Sequence, residues 1–159
     1  MILRPDFNLK NIYEIDLALL KSQGIRAILF DLDSTIMVSK SGEYSEETSN
    51  WLKKVQEDFL VAVITNNKKP SYVEKVQSIS NFEVVPDAKK PSTKAVKKLL
   101  EKINMAPSEV VIVGDRPLTD ILVGKLLGAK TILVGSINAH NEDLATCIVR
   151  WLERRFILN

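Results

Sequence analysis

The stretch Ile25-Arg26-Ala27-Ile28-Leu29-Phe30-Asp31-Leu32-Asp33-Ser34-Thr35 decides how the chain is read. Its first half is apolar enough to be a parallel strand buried on both faces. It then delivers two carboxylates one residue apart, followed by two small hydroxyl residues. In open α/β sheets, ligands gather beyond the carboxyl ends of the strands, where loops and helix N-termini meet. A buried strand that carries Asp31 and Asp33 to that edge creates charge that needs a cation or a proton. Read alone, the same residues also make an ordinary surface turn. The segments on either side decide between the two.

Upstream, Ile12, Ile15, Leu17, Leu19 and Leu20 recur among polar residues, which predicts a short helix over Asn11 to Lys21, stopped near Gly24. Downstream, Ile36-Met37-Val38 leads into a polar loop, Ser39 to Tyr44. Ser45 is a good N-cap, Glu46 and Glu47 suit the first turn, and Trp51, Leu52 and Val55 give that helix an apolar face. Phe59 to Ile64 reads as a second buried strand ending in Thr65-Asn66-Asn67, and Pro70 begins a helix carrying Tyr72, Val73, Val76 and Ile79. Phe82 to Val85 is a weak third strand. Ser92 is the expected cap of a helix whose buried stripe is Ala95, Val96, Leu99, Leu100 and Ile103. Val110 to Val113 is a fourth strand ending in Gly114-Asp115, and a helix from Thr119 or Asp120 runs to Leu127 and closes at Gly128. Thr131 to Val134 is a fifth strand, and Leu144, Ile148, Trp151 and Leu152 line up on a last helix. Alternating strands and helices predict one α/β domain over residues 1–159, a parallel sheet with helices on both faces.

Composition narrows the chemistry. A chain of 159 residues, 45% hydrophobic and 26% charged, fits one ordinary globular domain. A formal net charge of +2 carries no strong polyanion-binding signal, so no nucleic-acid partner is expected. The single cysteine, Cys147, excludes an internal disulfide and a Cys-rich zinc site, and reads as a buried small apolar residue. The single histidine, His140, excludes a His-rich metal cluster. No stretch is long and apolar enough to span a bilayer, and Met1 to Asp6 lacks the plan of a secretory signal. The expected location is the cytoplasm or the interior of an organelle.

Four clusters fall at strand ends or in loops: Asp31 with Asp33, Thr65 with Asn66, Lys90, and Asp115 with Asp120. Each has a plain structural reading by itself, as a turn, a solvated lysine or an N-terminal helix charge. Together they are what hydrolysis of a phosphate ester needs. A carboxylate nucleophile can form an aspartyl-phosphate and split one hard displacement into two easier ones. A second carboxyl group can protonate the leaving oxygen and later activate water. Attack of one anion on another needs neutralisation, which Mg²⁺ held by carboxylates, a lysine and a hydroxyl would supply.

The segments Asp31-Leu32-Asp33-Ser34-Thr35, Ile64-Thr65-Asn66, Lys90-Pro91 and Gly114-Asp115-Arg116-Pro117-Leu118-Thr119-Asp120 resemble the four ordered motifs of the haloacid dehalogenase superfamily. The resemblance implies a Rossmann-like three-layer parallel sheet of order 5-4-1-2-3 with the first motif strand in the middle. It implies Asp31 as nucleophile and Asp33 as general acid/base. Thr65, with Ser34 and Asn66, would bind the phosphoryl group, and Lys90 would stabilise it. Mg²⁺ would be held by the side chains of Asp31 and Asp115 and the backbone carbonyl of Asp33, with Asp120 as an outer partner of the metal or of Lys90. Lys89 is the neighbouring candidate; Lys90 is preferred because it precedes the proline.

The short loops leave no room for a cap domain, and the chain is most similar to the capless phosphatases of the superfamily. Within them it resembles the phosphatidylglycerophosphate phosphatase branch, through Leu3-Arg4-Pro5, the run Ile12 to Leu17 and Gly114 to Asp120. Ser34 departs from that branch, which more often has Asn, and Arg116-Pro117 differs from its commoner pattern. An open site suits a phosphate on something large, here a lipid head group. Arg150, Trp151, Arg154, Arg155, Phe156, Ile157 and Leu158 mix cations with large apolar residues, which is compatible with peripheral contact with a membrane or with a core helix ending in a frayed tail. The other readings are a capless phosphatase for a phosphosugar acid, a phosphoprotein or a nucleic-acid terminus, and a non-catalytic binding protein that keeps the fold.

Overall fold

The computed structural model of the chain describes residues 3–137 and 144–158. Among them are β1 (Phe7–Leu9), α1 (Leu17–Ser22), β2 (Ala27–Phe30), α2 (Glu46–Gln56), β3 (Leu60–Ile64), α3 (Pro70–Ile79), β4 (Glu83–Val85), α4 (Lys94–Ile103), β5 (Val110–Gly114), α5 (Leu122–Leu127), β6 (Lys130–Val134) and α6 (Leu144–Leu158). The strands form one sheet in the order β1-β6-β5-β2-β3-β4, and every pairing is parallel. From β6 to β4 this is the expected 5-4-1-2-3 arrangement with β2 at its centre. The edge strand β1 was not expected. Phe7-Asn8-Leu9 is too short to show a period, and only its pairing with β6 makes it a strand.

All four residues of β2 are buried, because both sheet faces are covered. The period of two then sorts them. Ile28 and Phe30 join Val61, Val63, Val111 and Val113 under Leu20, Leu52, Val55 and Val76. Ala27 and Leu29 join Ala62, Ile64 and Ile112 on the other face, under Val96, Leu99, Leu100 and Val123. Trp51 is half-buried against the first cluster, with its ring edge-on to Phe30 at 5.7 Å between centroids.

Several boundaries differ from expectation for local reasons. The first predicted helix is two pieces, a 3-10 turn over Ile12–Glu14 capped by Asn11 and α1 capped by Asp16, whose carboxylate accepts from Leu19 N–H. Ser45 caps α2 as expected, accepting from Thr48 N–H. Helix α4 begins with Thr93 at the cap position rather than Ser92. Helix α5 is preceded by a π-helical turn over Pro117–Ile121, so the predicted start at Thr119 or Asp120 lies inside that turn.

Helix α6 exists but is turned inside out relative to its pattern. Ile148, Trp151 and Leu152 are exposed, while Glu153 is buried and Arg150 and Arg154 are partly buried. Cys147 is partly exposed rather than buried. His140 lies outside the described residues. No helix among the described residues is long and apolar enough to cross a membrane.

Candidate active site

Register brings the functional residues to one rim. Phe30 pairs with Val63 on one side and with Val113 on the other, so Asp31, Thr65 and Asp115 leave the sheet at nearly one level. Asp31 N–H still donates to Val113 C=O at 2.8 Å, which ties the first residue of the loop to the sheet. Ser34 then takes a left-handed conformation, φ +71°, and turns the chain back so that its N–H donates to Met37 C=O at 2.7 Å.

The centre of the site is Lys90. Its side chain is 1% exposed, and Nζ donates to Asp31 Oδ1 at 2.6 Å and to Asp120 Oδ1 at 2.7 Å. Burial opposes the charge on Lys90, but the two carboxylates outweigh it and hold its pKa above the ordinary value. Asn66 positions that lysine through the backbone: Lys90 N–H donates to Asn66 Oδ1 at 2.7 Å, and Asn66 Nδ2 donates to Lys90 C=O at 3.1 Å. Lys89 instead points to solvent, 3.7 Å from Asp87.

Asp120 reaches back from the π-helical turn. Its Oδ2 accepts from Arg116 N–H at 3.1 Å, and a Cβ on Gly114 would lie 2.2 Å from that oxygen. Gly114 is therefore required by close approach rather than by its dihedral angles. Of the two partners expected for Asp120, Lys90 is in contact at 2.7 Å, and the carboxylate also lies in the acidic group that could hold a metal.

Carboxylate oxygens of Asp31, Asp115 and Asp120 lie within 4.8 Å of one another. Burial pushes Asp31 up to about 6 against the opposing pull of Lys90, and Asp120 adds to the rise. Burial together with Asp31 and Asp120 pushes Asp115 up to about 8. This crowding of buried negative charge is the condition a divalent cation relieves. Asp115 Oδ2 accepts no well-aligned hydrogen bond among the described residues, and hard carboxylate oxygens are the donor set for Mg²⁺. Asp31, Asp115 and Asp120 together offer the donor set for such an ion, and Asp120 also holds Lys90 and the Arg116 backbone.

The side chain of Asp33 is held by other partners. Its Oδ1 accepts from Tyr72 O–H at 2.6 Å and from Lys40 N–H at 3.0 Å. Thr65 is buried, and its Oγ1 accepts from Asn67 N–H at 3.1 Å, which fixes the loop after β3. Asp31, Asp33, Ser34, Thr65, Asn66 and Lys90 line one cavity of about 210 Å³, together with Asp115. A larger depression of about 500 Å³ sits beside Asn104 and Glu109, where the chain enters β5, at the other end of the strands from this cavity.

Three contributors were not among the expected site residues. Thr35 is fully buried, and its Oγ1 lies 3.3 Å from both Asp31 Oδ2 and Asp115 Oδ1. Tyr72 was read only as a core position, although a tyrosine at the start of a helix facing the strand ends has a hydroxyl within reach of them. Arg150, read only as one cation in a mixed cationic and apolar C-terminal segment, places Nη2 2.6 Å from Asp115 Oδ2. A carboxylate 35 positions away is invisible to any local pattern.

A central parallel strand ending in paired aspartates, with a buried lysine and further aspartates brought beside them, defines a haloacid dehalogenase-like phosphatase, with no cap domain among the described residues. The chain belongs to the family described as mitochondrial PGP phosphatase, which matches residues 1–137. It is 28% identical over 153 residues to a probable phosphatase of Bacillus subtilis, covering 96% of this chain and 88% of that one. It is 24% identical over 158 residues to a chloroplastic and mitochondrial phosphatidylglycerophosphate phosphatase of Arabidopsis thaliana, covering 94% of this chain and 45% of that protein. The fold resembles that of a haloacid dehalogenase-type phosphatase from Thermococcus onnurineus with a TM-score of 0.59 at 15% identity, over 76% of this chain and 90% of the other.

Proposed function

We propose that this phosphatase is a Mg²⁺-dependent phosphomonoesterase that works through an aspartyl-phosphate on Asp31 and dephosphorylates phosphatidylglycerophosphate. The observation that carries the chemistry is the ion pair of Lys90 with Asp31 at 2.6 Å. It couples a buried cation to a carboxylate that, at about 6, is still ionised at neutral pH. The lipid substrate is supported by the family match and by the Arabidopsis relative's name.

In this reading Asp31 attacks phosphorus, an oxygen–phosphorus bond forms on its carboxylate, and the ester bond to the leaving oxygen breaks. Asp33 gives its proton to that oxygen, then takes a proton from the water that cleaves the aspartyl-phosphate. Tyr72 and the Lys40 N–H hold one oxygen of Asp33, so the carboxyl enters the reaction in a fixed orientation. Lys90 meets the charge that develops on the phosphoryl oxygens, with Ser34, Thr65 and Asn66 beside it. Mg²⁺, held by the side chains of Asp31 and Asp115 and the Asp33 carbonyl, would neutralise the remaining negative charge.

The test is phosphate release from phosphatidylglycerophosphate in mixed micelles with Mg²⁺, with Asp31→Asn as the control. Release well above that control is expected. If the lipid is untouched while phosphosugar acids turn over, the substrate assignment fails and the chemistry stands.

A further inference from the structure

Helix α6 brings charge to the active site that hydrolysis of a simple phosphomonoester does not require. Arg150 lines the same cavity as Asp31 and Asp33, its side chain is 11% exposed, and its Nη2 sits against Asp115 Oδ2 at 2.6 Å. Arg116, from the segment after β5, also lines the cavity and donates through Nη2 to Glu153 Oε1 at 3.1 Å. The helix is anchored by contacts that do not involve Asp115. Arg154 Nη2 donates to Val134 C=O at 2.6 Å, and Glu153, 6% exposed, holds Arg116. The guanidinium of Arg150 can thus change partner while α6 stays in place.

Asp115 cannot serve two cations equally. A divalent ion on Asp31 and Asp115 repels a guanidinium a few ångströms away, and in a poorly solvated cavity that repulsion is strong. Lys90 and such an ion already face the transferring phosphoryl group. A further guanidinium, planar and suited to bidentate contact with phosphate, is then matched by a second anionic group on the substrate.

We infer that Arg150 is a specificity-determining residue. It is the counter-ion of Asp115 before the metal arrives, and afterwards it binds a phosphodiester carried by the substrate beside its terminal phosphate. This deepens the proposed function and rests on it, because a phosphatidylglycerol head group supplies such a phosphodiester. A free two-phosphate compound offers the same chemistry without acyl chains.

Arg150→Met tests both halves. By calorimetry on the metal-free protein with Mg²⁺ alone, the variant is expected to bind the ion roughly tenfold more tightly, since no cation has to be displaced. In turnover, kcat/KM is compared for glycerol 3-phosphate, the deacylated two-phosphate head group and the intact lipid. Both two-phosphate compounds are expected to fall roughly tenfold further than the monophosphate. A loss confined to the intact lipid overturns the phosphodiester contact. Unchanged or weaker Mg²⁺ binding overturns the counter-ion role. Equal losses on all three substrates overturn specificity. Arg150→Lys guards against a folding failure: it is expected to keep Mg²⁺ binding near the parent value yet lose part of the two-phosphate preference, and equal preference overturns the proposal. Because the Mg²⁺ titration needs no substrate, failure of the lipid reading is distinguishable from failure of Arg150.

Discussion

Lys90 Nζ lies 2.6 Å from Asp31 Oδ1, joining residues 59 positions apart in a contact almost closed to water. The same nitrogen holds Asp120 at 2.7 Å. Removing one partner from a buried charge cluster leaves the others uncompensated, which costs about 3–5 kcal/mol. Lys90→Met is therefore expected to lower stability by that amount and to abolish turnover. Urea unfolding at neutral pH and phosphate release are the two measurements. A fully stable Lys90→Met protein would show that the cluster does not depend on this cation.

The carboxylate cluster predicts an unusual pH profile for the metal-free protein. Asp31 and Asp115 both rise from the ordinary 3.8, to about 6 and about 8, with burial as the leading cause. A carboxyl whose folded pKa exceeds its unfolded one keeps its proton longer in the native state. Stability from these groups is present at low pH and is lost as pH climbs through the folded values. Asp6 and Glu109 are lowered, so they give the opposite slope, at and below the ordinary carboxylate range. In EDTA, Tm is expected to fall between about pH 5 and pH 8, and excess Mg²⁺ to flatten the decline by favouring the ionised carboxylates. Differential scanning calorimetry across that range checks the sign, and a Tm rising with pH in EDTA contradicts it.

Gly114 is the tightest point of the site. An added Cβ would sit 2.2 Å from Asp120 Oδ2 and 2.4 Å from Asp120 Cβ, and Asp120 is 1% exposed. Neither side can yield without breaking the Lys90 or Arg116 contact. Gly114→Ala is expected to cost about 1–3 kcal/mol and to reduce kcat, because Lys90 loses its second carboxylate. Combining it with Asp120→Gly removes the clashing Cβ, Cγ and Oδ2 together, so the two losses are expected to be less than additive in a double-mutant cycle. Strict additivity would place the defect elsewhere.

The central sheet was legible because β2, β3 and β5 are continuous apolar runs that end in polar residues, a pattern carried by a few consecutive positions. Lys90 could be chosen over Lys89 only through its place before Pro91 in a motif, since composition treats the two alike. What stayed hidden depends on contacts between distant segments. Strand β1 is three residues long and is defined by β6. Helix α6 turns its charged side inward because Asp115, Arg116 and Val134 C=O supply partners there. A hydrophobic stripe would normally be assigned to the core, and such remote partners reverse that preference.

Ser34 offers a prediction in the stabilising direction. It holds φ +71° in the turn after Asp33, where the turn is pinned on both sides: Ser34 N–H donates to Met37 C=O, and Ile137 N–H donates to Ser34 C=O at 2.9 Å. The left-handed region is unfavourable for most L-residues, and asparagine enters it more readily than serine. The position also borders the cavity, which leaves space for a longer side chain. Ser34→Asn is expected to stabilise the fold by about 0.5–1 kcal/mol, and Ser34→Val to destabilise it, because a β-branched residue is disfavoured at such an angle. Denaturant midpoints measured for both variants against the parent decide the matter. If valine is tolerated as well as asparagine, the backbone at this turn is not held in the left-handed region in solution.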